Sequence, residues 1–235
     1  MQQDIATRER TAILVNEFVR SVYNWMGIGL AITGLVAFYV STNANILRLI
    51  FGNPLIFFAL IIGELALVFS ISGMISKISA STATILFIIY SVLNGLTLSF
   101  IFLAYTKTSI YNTFFICSAT FIACSIYGWS TKRDLTSFGS FFMMGLIGII
   151  IASVVNMFIR SSQLGLMISY IGVFVFIGLT AYDTQRIKEL ALSCPADASA
   201  GTIRKGAIIG ALTLYLDFIN LFLMLLRIFG QQERQ

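Results

Sequence analysis

The stretch AIIGALTLYLDFINLFLMLL, residues 207–226, contains a single charged residue, Asp217. A helix that crosses the hydrocarbon core of a bilayer needs about 20 mostly apolar residues. Residues 207–226 are therefore predicted to form a membrane-spanning helix. Asp217 is the eleventh residue of the stretch, so its carboxyl group is expected near the middle of the bilayer.

Six further apolar runs precede this one, and the chain is predicted to cross the membrane seven times. They cover residues 22–40, 54–72, 83–105, 110–127, 138–158 and 164–182. The second of them begins with Asn53 as a candidate N-cap and Pro54 at the first helical position. Apolar residues make up 58% of the 235 positions and charged residues 11%, a composition that excludes an ordinary soluble domain.

We expect an all-α integral membrane protein whose main partner is the lipid bilayer. Residues 1–21 are predicted to be an N-terminal tail, 22–230 a single membrane domain, and 231–235 a C-terminal tail. Beyond Tyr182 the pattern turns amphipathic, so the sixth helix is predicted to continue to Ser193 or Cys194, just before Pro195. The polar stretch 193–205 is predicted to be a loop.

The distribution of basic residues predicts the orientation. Lys and Arg number ten on the side of the N-terminus and five on the opposite side. Because cytoplasmic loops retain the excess of basic residues, we expect a multi-pass protein of the cell (inner) membrane with its N-terminus in the cytoplasm and its C-terminus outside. The net charge of +5 then reflects orientation, and no nucleic acid is expected as a partner.

Several chemistries are disfavoured by composition. No histidine occurs in the chain, which removes the usual metal ligand and any nucleophile that depends on an imidazole base. Cys117 and Cys124 would lie about 10 Å apart along one helix, too far for a disulfide. We expect no enzymatic activity and no cofactor, and any proton sensing must be done by carboxyl groups.

Three carboxyl groups within or near the apolar runs are candidate functional residues. A charge at the centre of a membrane helix costs about 2.5–3.5 kcal/mol on insertion scales, so Glu64 and Asp217 need an explanation. Asp217 is interpreted as functional or as a hydrogen-bonded structural acid, and Asp183 as functional or as a solvated charge at a helix end. Glu64 is interpreted as a pathway charge or as one half of a structural ion pair with Arg227.

Two aspartate-containing segments carry a family resemblance. They are GLTAYDTQRI, residues 178–187, and ALTLYLDFINLF, residues 211–222. Together with GLTLS at 95–99 and TKRDL at 131–135, they resemble the bacterial branch of the Bax inhibitor-1 family, also called the transmembrane Bax inhibitor motif proteins. The similarity covers nearly everything after the first helix.

The resemblance implies a fold in which the seventh helix is central and enclosed by the other six, and it implies a pH-sensitive calcium leak. It further implies that Asp183 and Asp217 pair as a di-aspartyl proton sensor that binds calcium weakly, with calcium as the transported ion. A basic residue is expected to latch Asp183 in the closed state. The candidates are Lys77, alone in the second connection, and Arg186.

The chemistry of two carboxyl groups supports a pair of Asp183 and Asp217, but their spacing in the sequence does not establish that they touch. Two carboxyl groups in contact titrate as a unit, and one shared proton joins them by a hydrogen bond. Without the proton they repel each other or offer oxygen ligands to calcium. Asp217 lies about 18 Å along a helix from Lys205, so contact requires that the seventh helix start beyond the membrane face or that the sixth sink into the membrane.

Two other functions are compatible with parts of this sequence. An intramembrane aspartyl protease would also use two aspartates, but neither lies in a Gly-x-Gly-Asp pattern. The resemblance also implies a non-transporting modulator that binds another membrane protein, such as an ATP-dependent membrane protease or a cell-death regulator. The N-terminal tail would be the natural contact for such a partner.

Overall fold

A computed structural model of the chain describes the backbone of residues 2–194 and 198–233, and side chains from residue 14 onward. Within these ranges the secondary structure is helical, apart from one isolated β-bridge between Tyr105 and Gln232. The helices are α1 (Gln2–Ser41), α2 (Ala44–Phe51), α3 (Pro54–Met74), α4 (Ala80–Leu98), α5 (Ile101–Ala104), α6 (Lys107–Ser130), α7 (Thr136–Ile159), α8 (Ser162–Ser193) and α9 (Ala200–Phe229).

Seven segments of the described chain are long and apolar enough to cross a membrane. They lie in α1, α3, α6, α7, α8 and α9, and in α4 together with α5. Large apolar side chains on these helices are exposed, as expected where a helix faces lipid; Leu55 and Phe158 are 79% and 77% exposed. The prediction of an all-α membrane protein with seven spanning helices is confirmed.

Local capping accounts for the helix boundaries that were predicted correctly. The backbone N–H of Leu55 donates to Asn53 Oδ1 at 3.0 Å, and Pro54 occupies the first turn of α3. Helix α8 runs on beyond its apolar part and ends at Ser193, as its amphipathic pattern indicated. Pro195, which was expected to follow this end, lies outside the described residues.

Two predicted segments differ from the structure. The third run is interrupted after Leu98, where Ser99 Oγ donates to the Leu96 carbonyl at 2.7 Å and ends α4. The loop predicted over 193–205 is wrong in its second half, because α9 begins at Ala200. The cause is local, since Ser199 Oγ accepts the backbone N–H of Thr202 at 3.2 Å and caps the helix.

At the ends of the chain, the described structure reaches into the predicted tails. Helix α1 begins at Gln2, so its backbone is helical through most of the segment 1–21. Side chains before residue 14, and residues 234–235 of the C-terminal tail, lie outside the described part of the chain. The short helix α2 was not predicted; Asn43 Oδ1 caps it by accepting the backbone N–H groups of Asn45 and Ile46.

The chain forms two compact units. The first comprises residues 1–104 and 188–215, and the second residues 105–187 and 216–235. In the first unit α1 packs along α4, and α4 along α3. A Cβ at Gly95 of α4 would lie 2.8 Å from the carbonyl oxygen of Thr33, so only glycine allows α1 and α4 to approach this closely.

The second unit is built on α6, α7, α8 up to Ile187 and the C-terminal part of α9. Phe218 packs edge-on against Phe121 with ring centroids 5.4 Å apart, which joins α6 and α9. Helix α9 has the largest buried share of the seven spanning segments, 61%. This agrees with the expectation that the seventh spanning helix is an inner one.

Candidate functional site

Asp183 and Asp217 meet in the second unit. Asp183 on α8 is 6% exposed and Asp217 on α9 is 5% exposed. Their side chains are joined by a hydrogen bond. The sequence left open whether the seventh helix starts early or the sixth sinks into the membrane. In the structure the seventh spanning helix, α9, starts at Ala200, upstream of its apolar run.

The hydrogen bond between Asp183 and Asp217 requires a proton. Two ionised carboxylates only accept hydrogen bonds, so one of the two acids must carry a hydrogen for the bond to exist. The Oδ2 atom of Asp217 is fully buried, and no N–H or O–H donor from the described side chains reaches it. A negative charge on this oxygen would be costly without a hydrogen-bond donor, which fits a pair that holds a proton.

Of the two candidate latch residues, Arg186 is the one placed beside the pair. It follows Asp183 by three residues on α8, so both lie on one face of the helix. Its charge acts on the Asp183 carboxyl, although its side chain is largely exposed. Lys77 belongs to the first unit and lies exposed in the turn after α3.

Gln185 fixes the loop before α7 to the helix that carries Asp183. Its Oε1 accepts the backbone N–H of Leu135 at 2.8 Å, and its Nε2 donates to the carbonyl of Arg133 at 2.9 Å. Within the same loop, hydrogen bonds from Thr136 hold the pKa of Asp134 below its usual value. Gln185 was not identified from the sequence, although an uncharged amide beside Asp183 at the end of an apolar run was a usable signal.

We expect Gln185→Ala to lower the free energy of unfolding by about 1–3 kcal/mol, because both backbone groups lose a buried partner. Thermal unfolding in detergent micelles measures the loss. Gln163→Ala is the matched control, since Gln163 lies exposed on the same helix. Equal losses in the two variants would show that Gln185 does not anchor the loop.

Glu64 lies in the first unit, half-buried on α3. Its Oε1 accepts from Thr97 Oγ1 at 2.7 Å, and its Oε2 contacts Asn94 Nδ2 at 3.3 Å. Both partners were missed by the sequence analysis. The available signal was the three-residue spacing of Ser91, Asn94 and Thr97, which aligns polar groups on one face of an apolar helix.

Arg227 lies in the last turn of α9, in the second unit. Its guanidinium packs directly on Gly165 of α8, where any side chain would collide with it. The ion pair expected between Arg227 and Glu64 stays a prediction.

Among the described residues, no group of three or more His, Cys, Asp or Glu is arranged to hold a metal ion. The aspartate pair alone supplies fewer oxygens than the six to eight that calcium takes in a tight site. What the pair can do chemically is hold and release a proton, and contact a hard cation weakly.

Comparison with known proteins identifies the family. A sequence model of the family described as "Inhibitor of apoptosis-promoting Bax1" matches residues 15–234. The chain is 50% identical over 216 residues to the inner membrane protein YbhL of Escherichia coli K12, covering 92% of each chain. It is 48% identical over 228 residues to an uncharacterized protein of Borreliella burgdorferi, covering 97% of each. The chain therefore belongs to the Bax inhibitor family of multi-pass membrane proteins.

Proposed function

We propose that this protein is a pH-sensitive calcium leak whose proton sensor is the pair Asp183–Asp217. The observation that carries the proposal is the hydrogen bond between two buried acids on two membrane-spanning helices. Ionisable groups inside a membrane are costly to keep and typically mark ion or proton pathways.

In the closed state one proton is shared by the two acids. The hydrogen bond then links α8 to α9 and leaves a single negative charge in the pair. Arg186 lies close enough to offset that charge. A leak with this arrangement stays shut because its two acids bind each other instead of a cation.

Loss of the shared proton creates two adjacent anions. Their mutual repulsion favours separation of α8 and α9, and their four oxygens become ligands for a hard cation such as calcium. Two carboxylates bind calcium weakly, which suits a pathway from which the ion must leave as readily as it enters. Calcium is thus the transported ion, protons are the regulator, and the proposal includes no cofactor and no catalysis.

Calcium flux into proteoliposomes of the purified protein, measured over a series of pH values, tests the function. Flux is expected to rise as pH increases. These proteoliposomes contain no partner protein. Flux through them would therefore indicate a leak, and not a modulator that acts through another membrane protein. Absence of protein-dependent flux at every pH would overturn the proposal.

The basic latch is tested by comparing Lys77→Ala with Arg186→Ala. If Lys77 holds Asp183 in the closed state, removing its charge raises the resting flux at low pH. A rise in Arg186→Ala alone would assign the latch to the basic residue that the structure places beside Asp183. Unchanged resting flux in both variants would mean that no basic latch operates.

We further propose that the N-terminus faces the cytoplasm. In a background lacking Cys117, Cys124 and Cys194, a membrane-impermeant thiol reagent should label Ser76→Cys only from the cytoplasmic side. Gln235→Cys, at a position outside the described residues, should be labelled only from the opposite side. Cytoplasmic labelling of Gln235→Cys would contradict this topology.

A further inference from the structure

A continuous set of hydrogen bonds links Glu64 to α9 within the first unit. We call it the polar chain; it consists of Glu64, Asn94, Tyr215, Thr33 and the carbonyl of Ser91. Beyond the contact of Glu64 with Asn94, the Tyr215 hydroxyl lies 3.0 Å from Asn94 Oδ1 and 2.6 Å from Thr33 Oγ1. Thr33 Oγ1 in turn lies 2.8 Å from the Ser91 carbonyl oxygen. The polar chain therefore joins α3, α4, α9 and α1.

When Glu64 is ionised, the polar chain has fewer protons than it has contacts to fill. An ionised Glu64 only accepts, so Asn94 must turn its Nδ2 toward it and its Oδ1 toward Tyr215. Three oxygen–oxygen contacts then remain along Tyr215, Thr33 and the Ser91 carbonyl. The two hydroxyl groups supply two protons, and one buried contact is left with no hydrogen between its oxygens.

Reversing the amide of Asn94 removes the deficit, provided that Glu64 carries a proton. The nitrogen and oxygen of an Asn side chain have nearly the same shape, so hydrogen bonding determines the orientation. In the reversed orientation the Glu64 carboxyl donates to Asn94 Oδ1, and Asn94 Nδ2 donates to the Tyr215 hydroxyl. Tyr215 then donates to Thr33, and Thr33 to the Ser91 carbonyl, so every contact contains one proton.

We propose that Glu64 is a second proton-binding site, whose proton is held in place by the polar chain through Asn94 to Tyr215 of α9. The surroundings fit a neutral acid. Thr97 donates to the other carboxyl oxygen of Glu64, and the titratable side chains facing Glu64 are the phenols of Tyr90 on α4 and Tyr215 on α9. Within the described part of the first unit, no basic side chain forms an ion pair with Glu64.

Release of this proton would change the hydrogen bonds made by Tyr215 of α9. The amide of Asn94 would turn its Nδ2 to the carboxylate, and either Tyr215 or Thr33 would lose a hydrogen bond. Since Tyr215 is completely buried between the rings of Phe87 and Tyr90, with centroids 6.0 and 5.5 Å away, the lost bond cannot be replaced by water without repacking. Glu64 thus offers pH control of α9 that is separate from the aspartate pair.

Infrared spectroscopy of the full-length protein in liposomes tests the proton on Glu64. At neutral pH, labelling glutamate with ¹³C should shift part of the C=O band of protonated carboxylic acids, whereas labelling aspartate shifts only the part due to Asp183 and Asp217. Glu64→Gln should remove the glutamate-sensitive part, and the exposed control Glu189→Gln should retain it. Absence of a glutamate-sensitive band in the labelled wild type overturns the proposal, even if Glu64→Gln fails to fold.

The connection to α9 is tested by removing one hydroxyl. Tyr215→Phe should shift or abolish the glutamate-sensitive band, because Asn94 loses the acceptor that fixes its amide. Tyr90→Phe is the matched control, since Tyr90 is equally buried beside Tyr215 but takes no part in the polar chain. An unchanged band in Tyr215→Phe, or the same change in both variants, would overturn the link. Because an ion pair with Arg227 needs an ionised Glu64, a protonated Glu64 would also exclude that pair in this state.

Discussion

Calcium flux through Asp217→Asn should lose its dependence on pH. In the wild-type protein one proton separates the closed pair from the open one, so flux can change by up to about tenfold per pH unit within the titration range. Asparagine keeps the size and hydrogen-bonding capacity of aspartate but does not titrate. Asp183→Asn should flatten the profile as well, and Asp217→Asn should reduce conduction more because Asp217 lies deeper in its membrane helix.

The matched control for this experiment is Asp134→Asn. Asp134 lies in the loop before α7, and its side chain accepts hydrogen bonds from Thr136, including the backbone N–H at 2.8 Å, which an asparagine oxygen can also accept. The pH profile of this variant should stay that of the wild type. If both Asp183→Asn and Asp217→Asn kept the wild-type profile, the sensor would not be the aspartate pair. If Asp217→Asn alone flattened it, Asp217 would be the titrating group; the structure already excludes Asp183 as a solvated charge at a helix end, because it is 6% exposed and α8 continues to Ser193.

The second large effect is expected at Gly128, where α6 crosses α8. A Cβ at Gly128 would run into the backbone carbonyl of Ala181, and backbone atoms in the middle of a helix cannot move aside alone. Gly128→Ala therefore forces α6 and α8 apart and should lower the free energy of unfolding by about 1–3 kcal/mol. Thermal unfolding in detergent gives the stability change.

A matched glycine variant separates packing from helix propensity. Gly148 lies on α7 in the same unit, and a Cβ there would contact nothing within 4 Å. Gly148→Ala should leave stability unchanged or raise it by up to about 1 kcal/mol, because alanine favours helix more than glycine does. Since Ala181 precedes Asp183 by two residues, Gly128→Ala should also alter the pH profile of calcium flux. Equal stability in the two alanine variants would contradict a close crossing at Gly128.

Properties that depend on neighbouring residues were readable from the sequence. The seven spanning helices follow from run length and apolarity, because a bilayer imposes one length on every crossing. The start of α3 follows from Asn53 and Pro54, and the extension of α8 to Ser193 from a change in hydrophobic period. Ser199 offered the same kind of capping signal for α9, but the polarity of residues 200–205 concealed it.

Contacts between distant residues required the tertiary structure. Periodicity places Asp183, Gln185 and Asp217 along their helices, yet it does not say which helix each faces or how far one helix slides along another. The shared hydrogen bond of the two aspartates and the anchoring of the loop by Gln185 follow from that packing. The sequence likewise showed an acid at Glu64, but the proton that we assign to it follows from counting donors around Asn94 and Tyr215. A proton count requires knowing which oxygens touch, and only packed side chains establish that.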